Sequence, residues 1–111
     1  TASDALWAGL PLITCMGSTF AGRVGASLLH AAGLPELVTT SLEDYETLAR
    51  KLASDPAMLA ATRAKLGSNR STCPLFDTRR FARHIEAAFA GMWERHRSGA
   101  PPESFSVEPL A

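Results

Sequence analysis

The chain has 111 residues, 46% of them hydrophobic and 20% charged, and its eleven basic and eleven acidic side chains cancel. That length holds one modest core, and that composition excludes a disordered chain. The balanced charge gives no field for nucleic acid or a membrane surface, and no apolar run approaches the ~20 residues that span a bilayer. No signal peptide is visible, and a start at Thr1-Ala2-Ser3 without Met reads as a fragment. Cys15 and Cys73 fall in unlike settings, a strand and a loop, which suggests reduced thiols in a cytoplasmic protein.

In chain order, residues 2–8 read as the last turns of a helix, with Gly9 as its C-cap and Pro11 punctuating the entry to a strand. Leu12-Ile13-Thr14-Cys15 is short, β-rich and uncharged, as expected of a strand covered on both faces. Met16-Gly17-Ser18-Thr19 leaves that strand and opens a helix from Thr19 to Ala32, with Phe20, Val24, Leu28 and Ala31 on one stripe and Gly33 as cap. Gly22 and Gly25 weaken this helix by roughly 1 kcal/mol each relative to Ala, which predicts close packing against the sheet in return. Leu34-Pro35-Glu36 turns the chain, and Leu37-Val38-Thr39 is a second strand. Strand, helix and strand in that order predict a right-handed parallel βαβ unit.

The rest is helical. Ser41 with Asp44 is a capping-box variant before Leu42, Tyr45, Leu48 and Leu52. Asp55-Pro56 restarts a helix with the face Leu59, Thr62 and Leu66, and Gly67 to Pro74 is a loop by composition. Asp77 caps a last helix over 78–97, with Phe81, Ile85, Ala88, Phe89, Met92 and Trp93 along one side. Residues 100–111 look extended and poorly ordered. The fold class is therefore α/β: short parallel strands flanked by helices, with a helical C-terminal half.

One set of residues says more than periodicity does. Asp4, Leu6-Trp7, Gly9, Pro11, Thr14, Gly17, Thr19 and Arg23-Val24 stand in the order D-x-L-W-x-G-x-P-x-x-T-x-x-G-x-T-x-x-x-R-V. With Thr1, Leu48-Ala49-x-Lys51-Leu52, Pro74-Leu75-Phe76-Asp77-Thr78 and Met92-Trp93-Glu94, this resembles the C-terminal catalytic region of protein O-GlcNAc transferases over nearly the whole chain. That family includes the plant SPINDLY-type proteins and bacterial relatives with tetratricopeptide repeats. The resemblance implies the C-terminal part of a Rossmann-like domain in a GT-B glycosyltransferase: residues 1–99 as a partial nucleotide-sugar-binding domain and 100–111 as a tail. In that architecture the last helix commonly crosses back toward the first domain. The helix at 78–97 reads as such a crossing or as an ordinary core helix, and the second reading is preferred.

The chemistry follows the same residues. A ribose offers two vicinal hydroxyls, and one carboxylate accepts from both in a charge-assisted pair. The resemblance gives that role to Asp4; without it, Asp4 is an acid favoured in a helix's first turn. It also places Thr1 beside the donor diphosphate, and Ser3 at the same helix start is a weaker candidate. Gly17, Ser18 and Thr19 form a turn able to make a small anion nest, although relatives often read Pro-Gly-Glu-Thr there. Thr19 reads first as a helix cap, and Arg23 first as half of a structural salt bridge and second as a phosphate contact. Trp7 reads as core, and Met92 with Trp93 as a packing stripe. Arg79, Arg80 and Arg83 with Lys65 and Arg70 read as a solvated basic face. His30, His84 and His96 are scattered, so no metal site is expected.

The function the resemblance implies is transfer of N-acetylglucosamine, or a related sugar, from a UDP-linked donor to Ser or Thr of a protein. No essential metal or other cofactor is implied. The implied partners are the donor, a protein acceptor, and an upstream GT-B domain with tetratricopeptide repeats in the same chain. The family's phosphate-binding lysine, base-recognising residues and general-base histidines match nothing in these 111 residues, so no catalytic residue is assigned here. Other readings stay open: a module that binds nucleotide or protein without catalysis, a GT-B enzyme acting on lipid or small sugars, and a GDP-fucose donor as in SPINDLY-type relatives.

Overall fold

A computed structural model describes residues 1–109, and the chain divides into two units, Thr1–Phe76 and the part from Asp77 onward. Leu110 and Ala111, the end of the expected tail, lie outside the described residues.

The first unit is built on a crossover. Helix α1, Ala2–Trp7, ends through Gly9, whose φ of +85° is the left-handed turn that glycine adopts without a Cβ penalty. Strand β1, Thr14–Cys15, leads into helix α2, Phe20–Ala31, and a 3₁₀ turn at Pro35–Leu37 delivers strand β2, Val38–Thr39. The strands pair in parallel, Thr14 with Val38 and Cys15 with Thr39, as the βαβ reading requires. Both are shorter than expected. Leu37 belongs to the 3₁₀ turn, its N–H donating to the Leu34 carbonyl at 3.1 Å. Leu12 and Ile13 thus have no strand residue to pair with, and they pack on the core instead.

That core is Leu6, Leu29, Ala32, Leu34, Leu37 and Leu66, each 0–1% exposed. Helix α2 buries Ala26 and Leu29, and of the predicted stripe only its C-terminal half turns inward: Leu28 packs on the core and Ala31 is half-buried, whereas Phe20 is 81% exposed and Val24 40%. The helix is apolar on two faces, and spacing alone favours the heavier one. Gly25 explains the choice. A Cβ there would lie 2.8 Å from the Thr14 hydroxyl, so α2 lies on β1 where only glycine lets it approach.

Helix α3, Leu42–Ser54, starts at Ser41, whose hydroxyl accepts from the Asp44 N–H at 3.0 Å and donates to the Asp44 carboxylate at 2.7 Å. Its leading apolar residue, Leu42, is 77% exposed, while Leu52 packs on the core. Helix α4, Pro56–Asn69, is capped by Asp55 and buries Thr62 and Leu66. It extends past Gly67, where a loop was expected, because its last side chain is tied down. The Asn69 amide donates to the carbonyls of Ala32 at 3.0 Å and Gly33 at 3.4 Å. A second 3₁₀ turn, Pro74–Phe76, closes this unit, and Cys15 and Cys73 are both free thiols.

The second unit is helix α5, Thr78–Arg97, with the segment that follows it. Asp77 caps the helix through the Arg80 N–H at 2.9 Å. Within this chain no residue of α5 is buried, and Phe81, Phe89, Met92 and Trp93 are exposed. The tail returns along α5 at Gly91 and Arg95 and leaves that stripe exposed. A Cβ at Gly91 would lie 3.1 Å from the Phe105 ring, and Arg95 pairs with Glu103 at 2.8 Å while donating to the Pro101 carbonyl. The tail is extended, as expected, but it is tied to α5 by these contacts.

Candidate functional site

Open α/β sheets bind ligands beyond the carboxyl ends of their parallel strands. Beyond β1 the chain closes on itself. The Met16 N–H donates to the Thr39 carbonyl at 2.7 Å, the Gly17 N–H to the Gly22 carbonyl at 2.9 Å, and the Gly22 N–H to the Thr19 hydroxyl at 3.1 Å. Thr19 is thus the cap of α2. The nest expected over Gly17–Thr19 is thinner than it looked, since the Gly17 amide is already committed. Arg23, read first as a salt-bridge residue, has no carboxylate partner among the described residues. It stands exposed beside an open groove of about 520 Å³ lined also by Met16, Phe20, Val24 and Ser27.

Thr1, Ser3 and Asp4 share the first turn of α1, and all three are exposed. Thr1 is the N-cap by position and makes no side-chain capping bond. The Asp4 side chain is 90% exposed, and among the described residues no Lys, Arg or His side chain pairs with it. No hydrogen bond or ion pair joins this turn to Gly17, Thr19 or Arg23 among the described residues.

Trp7, expected in the core, is 57% exposed. Leu6 takes the buried position of α1, and the next residue lies ~100° round the helix, pointing away. The indole meets the Phe76 ring edge-on at 5.1 Å and lies 5.5 Å under the Arg70 guanidinium. Arg70 Nη1 also donates to the Trp7 carbonyl at 2.9 Å. Arg70 thus leaves the solvated basic face to which its composition assigned it, and nothing in spacing could have shown a contact across 63 positions. Lys65 leaves it as well, donating to Glu36 at 2.7 Å. Burial pushes the Glu36 carboxyl up, while hydrogen bonds from Lys65 and the backbone, with the Lys65 charge, outweigh that and hold it below its ordinary value. Among the described residues no three His, Cys, Asp or Glu side chains gather as metal ligands, and no helix is long and apolar enough to cross a membrane.

The sequence profile described as Glycosyl transferase family 41 matches residues 1–85, which holds α1, the βαβ crossover and the Arg70–Trp7 contact. The chain belongs to this family. This family 41 chain is 43% identical over 108 residues to the probable UDP-N-acetylglucosamine–peptide N-acetylglucosaminyltransferase SEC of Arabidopsis thaliana, covering 96% of the chain and 11% of that protein. It is 38% identical over 101 residues to the UDP-N-acetylglucosamine–peptide N-acetylglucosaminyltransferase of Caenorhabditis elegans, covering 91% of the chain and 9% of that protein. Among solved structures, a mutant O-GlcNAc transferase of Thermobaculum terrenum superposes with a TM-score of 0.79 at 36% identity, over 87% of the chain and 19% of that structure. The family 41 chain thus spans about a tenth of the length of the curated relatives and about a fifth of the solved one.

Proposed function

We propose that this chain supplies part of the donor pocket of a larger GT-B glycosyltransferase that moves N-acetylglucosamine from UDP to Ser or Thr side chains of proteins. The observation that carries this is the match to an O-GlcNAc transferase structure at 36% identity and a TM-score of 0.79 over 87% of the chain, beside a family profile that spans residues 1–85 and so α1 and the crossover. Thr1–Phe76 is then the carboxyl-terminal portion of a Rossmann-like donor domain. Tetratricopeptide repeats elsewhere in the protein would present the acceptor, and the cytoplasm is the compartment that reduced Cys15 and Cys73 fit.

In this reading the Asp4 carboxylate accepts hydrogen bonds from both ribose hydroxyls of the donor. Its exposure leaves it available to do so, and a carboxylate accepting from two vicinal donors fixes the nucleoside's orientation. The Thr1 hydroxyl and the first amides of α1 lie beside it, next to where the diphosphate would run, with Ser3 on the same turn. Holding the leaving diphosphate by fixed donors and cations is the electrostatic part of catalysis. The group that deprotonates the acceptor hydroxyl comes from another part of the enzyme. Arg23 and the Gly17–Thr19 turn, exposed beyond β1, are second candidates for contact with the donor's phosphates.

The test is transfer by the full-length protein from radiolabelled UDP-N-acetylglucosamine to a Ser/Thr peptide library, with GDP-fucose as a parallel donor. Labelled peptide from the UDP donor is the expected result. Label from GDP-fucose alone overturns the donor, and UDP binding without label on any peptide favours a non-catalytic nucleotide-binding module.

A further inference from the structure

Helix α1 has six residues, too few to persist on its own hydrogen bonds. The fold must hold it, and its two large side chains, Leu6 and Trp7, are the ones that reach farthest into neighbouring elements. Leu6 is fully buried and fixes where the helix sits. One large apolar anchor fixes the position of a helix more firmly than its rotation, since the other inward residues, Ala2 and Ala5, are small and only half-buried. Trp7 adds the rotational constraint. Its ring lies against Phe76 on one side and under Arg70, and its carbonyl accepts from Arg70 Nη1 at 2.9 Å. The carbonyls of Asp4, Ala5 and Leu6 are taken by the N–H groups of Ala8, Leu10 and Gly9. Arg70 thus gives a partner to the Trp7 carbonyl, which the helix end leaves over.

Arg70 reaches α1 from firm ground. It is the C-cap of α4, its N–H donates to the carbonyl of fully buried Leu66, and the neighbouring Asn69 amide is fastened to the end of α2. Only a planar guanidinium lies over an indole and donates in its own plane to the carbonyl beside it, whereas a lysine ammonium is a point charge on a flexible stem. The contact is largely exposed, and exposed contacts of this kind add little to global stability. What it constrains is direction. Asp4 lies three residues before Trp7, nearly one turn away on the same short helix.

We infer that Arg70 is a positioning residue. Through the ring and carbonyl of Trp7 it fixes the rotation of α1, and so the direction in which Asp4 presents its carboxylate to the ribose of a nucleoside diphosphate, an inference that rests on the donor reading above.

The experiment is calorimetric titration of UDP into the full-length protein for wild type, Asp4→Ala, Arg70→Ala, Arg70→Lys and the Asp4→Ala/Arg70→Ala double variant, with a thermal melt of each. Arg70→Ala should weaken UDP binding about three- to ten-fold, short of the Asp4→Ala effect, with the melting temperature nearly unchanged. Arg70→Lys, which keeps the charge, should recover only part of the loss and serves as the readout if the alanine variant does not fold. The double variant should bind no more weakly than Asp4→Ala alone, because a misdirected helix no longer matters once its carboxylate is gone. Unchanged affinity in both Arg70 variants beside a weakened Asp4→Ala overturns the positioning role and leaves the donor reading intact. Additive losses in the double variant overturn it too, since Arg70 would then act apart from Asp4. Unchanged affinity in Asp4→Ala overturns the ribose assignment and the positioning role together.

Discussion

Gly25→Ala sets two effects of opposite sign against each other, and the structure decides between them. Inside a helix, Ala is favoured over Gly by roughly 1 kcal/mol, so α2 taken alone would gain. The new Cβ would stand 2.8 Å from the Thr14 hydroxyl and 3.3 Å from the Thr14 Cβ. Thr14 cannot retreat easily. Its strand is paired to Val38 and Thr39, its carbonyl accepts from the Thr39 hydroxyl at 3.0 Å, and a β-branched side chain is stiff at χ1. Overpacking of this kind costs about 1–3 kcal/mol, so the net is a loss of about 1 kcal/mol. In a domain of this size that lowers the melting temperature by roughly 4–8 °C. Gly67→Ala is the internal control, because nothing lies within 4 Å of a Cβ there and only the propensity gain should remain. Urea denaturation of both variants, with the Gly25→Ala/Thr14→Ala pair as a partial rescue, measures the difference. A Gly25→Ala protein as stable as Gly67→Ala would refute the close approach of α2 to β1.

Asp4→Ala should weaken UDP binding ten- to a hundred-fold, the loss of a charge-assisted pair worth ~1.5–3 kcal/mol, and Asp4→Asn should recover little of it in the same titration. If Asp4 serves only the helix start, Asn replaces it with small loss and UDP affinity stays put. Leu29→Ala, at a fully buried position, should cost about 2–5 kcal/mol in a denaturant melt, and a cost under 1 kcal/mol would mean that the core lies elsewhere. Glu36 is held below its ordinary pKa, so it binds protons more weakly folded than unfolded. Its contribution is complete above about pH 4.3 and fades as pH falls through the folded value. Both partners are more than two-fifths exposed, which keeps the term under ~1 kcal/mol. Lys65→Ala should flatten that acid limb of a stability-against-pH curve, and an unchanged limb would assign it to other carboxylates.

The helix starts were legible because caps are local chemistry. Ser41, Asp55 and Asp77 each accept from the N–H three residues on, as their spacing implied. The parallel crossover was legible for the same reason, from two β-rich runs around one helix. What sequence missed was settled by partners far along the chain. Gly67 looked like a loop residue because the bond that prolongs α4 joins Asn69 to Ala32, 37 positions away. Trp7 looked like core because bulk and apolarity say nothing of which way a short helix is turned. At the candidate site, the first turn of α1 could be named from the family pattern. That Asp4 is exposed, that Arg23 has no acidic partner among the described residues, and that Gly17 spends its amide on Gly22 depended on distances no pattern contains.

The Asn69 amide also ties two positions to one another in evolutionary terms. Gly33 has φ +74°, and a Cβ there would lie 2.6 Å from the very nitrogen that donates to the Ala32 and Gly33 carbonyls. Neither residue can drift alone. A side chain at 33 evicts the amide, and loss of the amide frees the space at 33 but leaves the carbonyls at the end of α2 without their donor. Family 41 lineages should therefore change the pair together or not at all, with any replacement at 69 drawn from side chains that can donate to two carbonyls from farther away.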